Sequence, residues 1–214
     1  MPASYCYDYP RPSVTVDLAV FCRAEEELRV LLIRRKHDPF AGSWALPGGF
    51  LEMEEGLEAG ARRELKEETG LEIPAPIEFL GVYGEPGRDP RGRTISMAYF
   101  ATISGPLGAI AGRDDAAKAA WVNPFTAKRL AFDHDQILRS ALGKLLAGIT
   151  EGKLFGLALL PEEFNAAELG RILEPFEVER GALTGMIESW VGMGSLEVVG
   201  GKRERYRRAP KGLE

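Results

Sequence analysis

Between Gly49 and Leu71 the chain reads GFLEMEEGLEAGARRELKEETGL, and three of its carboxylates, Glu64, Glu67 and Glu68, stand at i, i+3 and i+4. On a helix such residues share one face, with Cβ atoms about 5–6 Å apart. Three negative charges on one patch repel one another, so the cluster calls for a cation. Oxygen ligands suit a hard ion such as Mg2+ or Mn2+, which is held by a few carboxylates together with the phosphate oxygens of a substrate. A divalent metal bridges a diphosphate, neutralises its charge and helps make hydroxide from water, and a neighbouring carboxylate can take the proton. Arg63 adds a guanidinium fork that can orient a glutamate bidentately, which lysine cannot copy. The bland alternative for an isolated E-x-x-E-E is a solvated acidic helix face.

The elements that must position these groups are legible. Leu57 to Thr69 is rich in Glu, Ala, Leu, Arg and Lys, all good helix formers. Gly70 stands where the helix should stop, because glycine accepts the left-handed cap conformation. Ala61 and Leu65, at i and i+4, predict the core-facing stripe beside the acidic one. Gly48 and Gly49 predict a tight turn ahead of the helix. Glu52 and Glu55 either support the acidic cluster or favour the helix N-terminus, where negative charge is stabilising.

Gly49, Glu55, Arg63-Glu64-Leu65 and Glu67-Glu68, closed by Gly70-Leu71, fill all nine fixed positions of a motif that spans 23 residues. The stretch resembles the Nudix box, and the chain resembles Nudix hydrolases, which cleave a nucleoside diphosphate linked to another group. The resemblance implies an α/β fold, a mixed sheet packed between helices. It also implies that Glu64, Glu67 and Glu68 are the metal and base positions, and that the Gly48 carbonyl reaches the metal. Which glutamate is the base stays open, and in some branches of the family the base lies outside the box.

The chain has 214 residues, 45% hydrophobic and 28% charged, as expected for one large or two small globular domains. No apolar run approaches the ~18–20 residues of a membrane span, and the N-terminus lacks the basic start and apolar core of a signal peptide. A cytoplasmic protein without a membrane partner is expected. Cys6 and Cys22 read as incidental thiols, and two histidines exclude a histidine-rich metal site. A net charge of -5 argues against a molecule basic throughout.

Strands are expected at Val14–Cys22, Leu28–Arg34, Ile77–Tyr83, Thr94–Ile103 and Ala119–Val122, with Asp133 capping a helix from His134 to Ala147. From about residue 149 the pattern changes. A helix within Glu163–Phe176, a break at Glu177-Val178, a helix from Glu179 to Met193 and two short strands, Leu196–Val199 and Glu204–Arg208, outline a winged helix-turn-helix. The expected domains are therefore 1–148 and 149–214.

The loop GEPGRDPRGRTIS at 84–96 resembles that of relatives acting on ADP-ribose and of their regulatory cousins. Arg88 and Arg91 there are candidates to hold a diphosphate or a terminal ribose phosphate, although Asp89-Pro90 and Gly92 are equally the chemistry of a hairpin tip. Of Arg34 and Arg35, neighbours on a strand, one should face the phosphates and the other solvent. Asp114 and Asp115 are candidates for the distal ribose, for a base, or for nothing beyond an exposed loop.

The full layout resembles Nudix-related transcriptional regulators of NAD metabolism, in which a Nudix domain senses ADP-ribose or a relative and a winged helix binds operator DNA as a dimer. Many of these carry a decayed box, and this chain does not. Its candidate recognition helix offers Arg180 and Thr184 beside Glu179 and Glu188, a poor reading head. Residues 149–214 hold 9 Lys/Arg against 11 Asp/Glu. The wing is basic, with Lys202, Arg203, Arg205, Arg207 and Arg208, and could track a phosphate backbone or merely protect a strand edge. The reading is a metal-dependent pyrophosphatase that converts ADP-ribose to AMP and ribose 5-phosphate, with an ADP-ribose-sensing, DNA-binding regulator as the alternative and a homodimer implied by the resemblance.

Overall fold

The computed structural model describes residues 8–24, 26–105, 110, 116–200 and 205–209. Strand β1 (Ser13–Ala24) is its spine, with eight consecutive buried residues. It pairs in parallel with β6 (Thr94–Ile103), and antiparallel with β2 (Glu27–Arg35) and β4 (Gly48–Phe50). β3 (Trp44–Ala45) and β7 (Ala116–Val122) join β2, and β5 (Glu78–Tyr83) closes the other edge on β6. The mixed seven-stranded sheet therefore has its apolar centre covered on both faces, which is why β1 reads as a continuous apolar run rather than an alternation.

The two faces define two cores. Val16, Leu18, Val20 and Cys22 meet Ala61 and Leu65 of α1 (Leu57–Thr69) on one side. On the other side Ala19 and Phe21 meet Ile137, Leu138, Ala141 and Leu145 of α2 (His134–Thr150). This is the expected sandwich. α1 ends as anticipated at Gly70, whose φ is 73° and whose N–H donates to Lys66 O at 2.8 Å.

The second core continues without a break into the C-terminal residues, through Leu157, Leu160, Leu173, Ile187 and a fully buried Trp190. No linker lies at residue 148. α2 runs through that position to Thr150, because its last turns supply Leu145 and Ile149 to the shared core. Gly148 lies where the chain folds back on itself, and a Cβ there would fall 1.9 Å from the Phe155 ring. Trp190 Nε1 donates to Thr150 O at 3.3 Å, tying α5 to the end of α2.

Beyond α2 come α3 (Leu154–Leu157), β8 (Glu163–Phe164), α4 (Ala166–Leu173), a 3-10 turn at Glu174–Phe176, α5 (Arg180–Gly192), β9 (Leu196–Val198) and β10 (Tyr206–Arg208). The strands form a small antiparallel sheet in the order β8-β10-β9, so helix, turn, helix and wing are all present. α4 starts at Ala166 because Asn165 caps it. Asn165 Oδ1 accepts from the N–H groups of Ala167 and Glu168, and Glu168 Oε2 accepts from Asn165 N. Glu177, at φ 58°, makes the break between the helices. Among the described residues no helix is long and apolar enough to cross a membrane.

Candidate active site

The site forms where β4 is squeezed between β1 and α1. Gly48 pairs with Asp17 and Gly49 with Val16. A Cβ on Gly48 would meet Val16 O at 2.2 Å, and one on Gly49 would meet Glu64 Oε1 at 2.4 Å. Neither clash can be relieved without moving backbone or the glutamate, so the Gly-Gly pair is what lets the acidic helix face approach the sheet. Gly48 N donates to Glu68 Oε2 at 2.9 Å, and Glu68 is only 4% exposed. Burial pushes the Glu68 carboxyl up to about 8, against the pull of the Gly48 bond, with Glu64 and Asp17 adding repulsion. Burial raises Glu64 too, although Arg63 opposes it.

Arg63 uses every N–H of its guanidinium. Nε and Nη2 hold Glu55 bidentately at 3.0 and 2.7 Å, Nη1 donates to Glu64 at 2.9 Å and Glu67 at 2.8 Å, and Nη2 also reaches Phe50 O at 3.0 Å. The bond to Glu55 contributes most to raising the arginine's pKa, and the same bond holds the Glu55 carboxyl below the usual range. Glu55 thus anchors Arg63. Among the described residues no three acidic or histidine side chains converge closely enough to enclose an ion as they stand, because Arg63 occupies the space between Glu64 and Glu67.

These groups open onto a pocket of about 390 Å³, also lined by Asp17, Arg35, Arg88, Arg91, Phe132 and His134. The four arginines proposed for substrate have separate fates. Arg35 faces the pocket and lies over the Phe132 ring at 4.9 Å. Arg34, its strand neighbour, is exposed and donates to Gly42 O at 2.8 Å, outside the pocket lining. Strand alternation turns the two to opposite faces, as expected of neighbours, and only Arg35 lines the pocket. Arg88 is buried and grips Asp133 bidentately at 2.9 and 2.6 Å, with Asp17 at 3.4 Å. Arg91 is paired with Asp89, Nη2 lying 2.7 Å from Oδ2.

Asp133 corrects a second expectation. It precedes α2 but makes no side-chain cap, because Arg88 has taken both of its oxygens. Next to it, His134 accepts a hydrogen bond from Leu46 N at Nδ1, 3.0 Å, which leaves Nε2–H to face Asp17 Oδ1 at 3.3 Å. Ser96 Oγ also donates to Asp17. Although burial alone would raise the Asp17 carboxyl, His134, Ser96 and Arg88 together hold it below its ordinary value. The start of α2 is therefore tied to the Leu46–Gly48 strap that meets Glu68. The sequence reading passed over Asp17, Ser96, His134 and Phe132. The available signal was a lone aspartate inside the apolar run VTVDLAVFC.

The residues expected to contact DNA are set on the C-terminal elements. Arg180 begins α5 and is exposed. Arg205 donates to Glu163 O at 2.9 Å, and Arg207 Nε lies 3.5 Å from the Glu163 carboxylate, so one glutamate partly offsets both charges. Arg208 ends β10. Lys202, Arg203, Asp114 and Asp115 lie outside the described residues.

Fold and site define a Nudix-type hydrolase: a mixed sheet between two helices, with a glycine-seated glutamate helix at the mouth of a polar pocket. A NUDIX domain model matches residues 12–141, and the chain belongs to that family. It is 44% identical over 131 residues to an ADP-ribose pyrophosphatase of Methanocaldococcus jannaschii, covering 61% of this chain and 73% of that one. It is 37% identical over 172 residues to the ADPR responsive transcriptional repressor NtrR of Acinetobacter baylyi, covering 78% and 67%. A MutT/nudix family protein of Enterococcus faecalis superimposes with a TM-score of 0.79 at 29% identity, over 96% of this chain and 89% of that one.

Proposed function

We propose that the chain hydrolyses ADP-ribose to AMP and ribose 5-phosphate with a divalent cation, Mg2+ or Mn2+. The observation that carries this reading is the pair of buried, repelling carboxylates, Glu64 and Glu68, seated on Gly48-Gly49 at the mouth of the pocket. Glu68 makes no ion pair among the described residues and Glu64 has only Arg63, so their oxygens remain open to a hard cation. Glu64, Glu67 and Glu68 would hold it, with Glu67 leaving Arg63 to do so, and Gly48, whose carbonyl is the further candidate ligand, lines the same pocket. When bound, the cation neutralises the diphosphate and acidifies water. The protein's own part is positional. Arg63, anchored by Glu55, sets the glutamates. Arg35 offers positive charge to the phosphates, and a carboxylate of the cluster takes the proton of the attacking water. Similarity to a pyrophosphatase named for ADP-ribose supports the choice of substrate.

The test is hydrolysis of ADP-ribose, NAD, NADH, diadenosine polyphosphates, nucleoside triphosphates and nucleotide sugars, each with Mg2+ or Mn2+ and with chelator. ADP-ribose should turn over fastest, and chelator should abolish the activity. Faster turnover of another member would replace the substrate, and no turnover of any member would end the enzymatic reading.

A second reading is a regulator that binds DNA through a C-terminal unit, 149–214, working as a homodimer. Similarity to a repressor over 78% of the chain favours it, as do the two helices and basic wing. Replacing Arg205, Arg207 and Arg208 with Ala should spare hydrolysis, weaken DNA binding and reduce the salt slope by up to about 3, one phosphate contact per arginine. Binding that is unchanged in an electrophoretic mobility titration would move the contact elsewhere.

A further inference from the structure

One wall of the pocket has a different chemistry from the glutamate cluster. Thr15 pairs with Phe50 and Asp17 with Gly48 across β1 and β4, so Thr15, Phe50 and Asp17 share one sheet face, all lining the pocket. Phe50 follows the Gly48-Gly49 seat directly and faces the side of the sheet opposite to Gly49. Its ring is 45% exposed. The Arg91 guanidinium lies over it, 4.9 Å from the centroid, and stands 5.7 Å from the Phe132 ring. Phe132 is held at φ 56°, a conformation uncommon for a bulky residue, between Arg91 and Arg35. Phe50, Arg91, Phe132 and Arg35 thus make a wall in which rings alternate with guanidinium planes.

The charge on Arg91 is already answered. Asp89 is almost fully buried, takes Arg91 Nε and Nη2, and accepts from the Arg91 backbone N–H as well. A guanidinium so pinned, with its plane against Phe50 and its charge offset by Asp89, belongs to a planar stack better than to a phosphate clamp. Beside Phe50, Thr15 Oγ1 is buried and has no hydrogen-bond partner among the described residues. A buried hydroxyl left unpaired on a pocket wall is a place for a ligand's polar edge.

From this geometry we infer that Phe50, Arg91 and Phe132 form a stacking wall for the nucleobase of a nucleoside diphosphate substrate, with Thr15 Oγ1 meeting a polar atom of the nucleoside. The assignment rests on the nucleotide pyrophosphatase reading and deepens it. Phe50 shares its sheet face with Thr15 and Asp17, whereas Gly49 turns the opposite face to Glu64, so the wall and that glutamate stand on opposite sides of β4. Arg91, proposed from sequence as a phosphate clamp, becomes a determinant of base binding, and Arg35 is left as the pocket-lining candidate for the phosphates.

Phe50→Ala, Phe132→Ala and Arg91→Ala should each raise KM for ADP-ribose roughly five- to a hundredfold, the range that loss of one stacking partner produces, with kcat changed less than threefold. The inhibition constant of AMP should rise with KM, while that of ribose 5-phosphate, which has no base, should stay within about twofold. Phe50→Tyr should restore wild-type KM, since it keeps the ring. Thr15→Val should weaken nucleotide binding while leaving the melting temperature of the ligand-free protein unchanged or higher, because it removes an unpaired buried hydroxyl. Equal losses for AMP and ribose 5-phosphate, or a KM indifferent to Phe50, would overturn the assignment. Equilibrium titration of ADP onto the wild type and Phe50→Ala separates the two ideas. ADP affinity that falls in the variant although the wild type does not hydrolyse ADP-ribose would sink the proposed reaction and keep the stacking wall.

Discussion

Glu68→Gln is expected to leave the fold intact and reduce turnover by about 10²–10⁴-fold, the usual contribution of a positioned acid–base group, and by more if metal affinity falls as well. Gln keeps the volume and an oxygen that can accept from Gly48 N, so the seat between β4 and α1 survives. What it loses is the ionised form. The Glu68 carboxyl, pushed up to about 8 by burial, is mostly protonated at neutral pH in the metal-free protein. Because its folded pKa lies above the ordinary 4.5, its contribution to stability is fully present below about 4.5 and is lost as pH rises through 8. Metal-free wild type should therefore lose stability between those values, by an amount with an upper bound on the order of 5 kcal/mol. Glu68→Gln should flatten most of that slope. Adding Mg2+ at pH 8 should stabilise the wild type more than the variant. Denaturant titrations with chelator across pH 5–9, paired with steady-state rates, check both halves. A variant that hydrolyses its substrate at the wild-type rate would remove Glu68 from the chemistry.

Arg88→Met should cost about 3–5 kcal/mol, because it strands two buried aspartates rather than removing a surface charge. Arg88 is the shared partner of Asp17 and Asp133, and its side chain is 4% exposed. For a chain of this size that loss lowers the melting temperature by roughly 6–20 °C. The pH dependence carries a further sign. The Asp17 carboxyl lies below its ordinary 3.8, so its stabilising contribution is present above that value and disappears as pH falls through the folded pKa. Without Arg88 the folded pKa moves up, and acid unfolding should begin at higher pH. Arg88→Lys should recover only part of the stability, since one ammonium cannot reproduce the bidentate grip on Asp133. Activity should fall along with stability, because the same network reaches Leu46 N through His134 and so holds the strap that seats Glu68. Thermal denaturation of Arg88→Met within 2 °C of wild type would show that the network is not structural.

The chemistry of α1 was legible in the sequence because it is local. A carboxylate triplet at helical spacing, an arginine beside it and a glycine at each end state their geometry through 3.6-residue periodicity and backbone freedom alone, and the helix ends at Gly70 as that reasoning requires. The strands on both sides of the box and the outline of the C-terminal elements were read for the same reason. The tertiary structure decided everything that depends on partners distant in the chain. Asp133 reads as a helix cap until Arg88, 45 residues away, takes both of its oxygens. His134 and Asp17 read as an isolated histidine and an odd charge in a strand, and they become one buried network only when α2 packs under β1. Arg34 and Arg35 are equivalent by composition, and strand alternation separates them only once the sheet has a pocket side. α2 runs through the expected border at 148 because Leu145 and Ile149 join the core that the C-terminal residues share, and nothing local in Ala147-Gly148-Ile149 reveals which apolar side chains will meet it. Local sequence states what a segment can do, whereas the burial that shifts Glu68 and encloses Arg88 is a property of surfaces brought together by the fold.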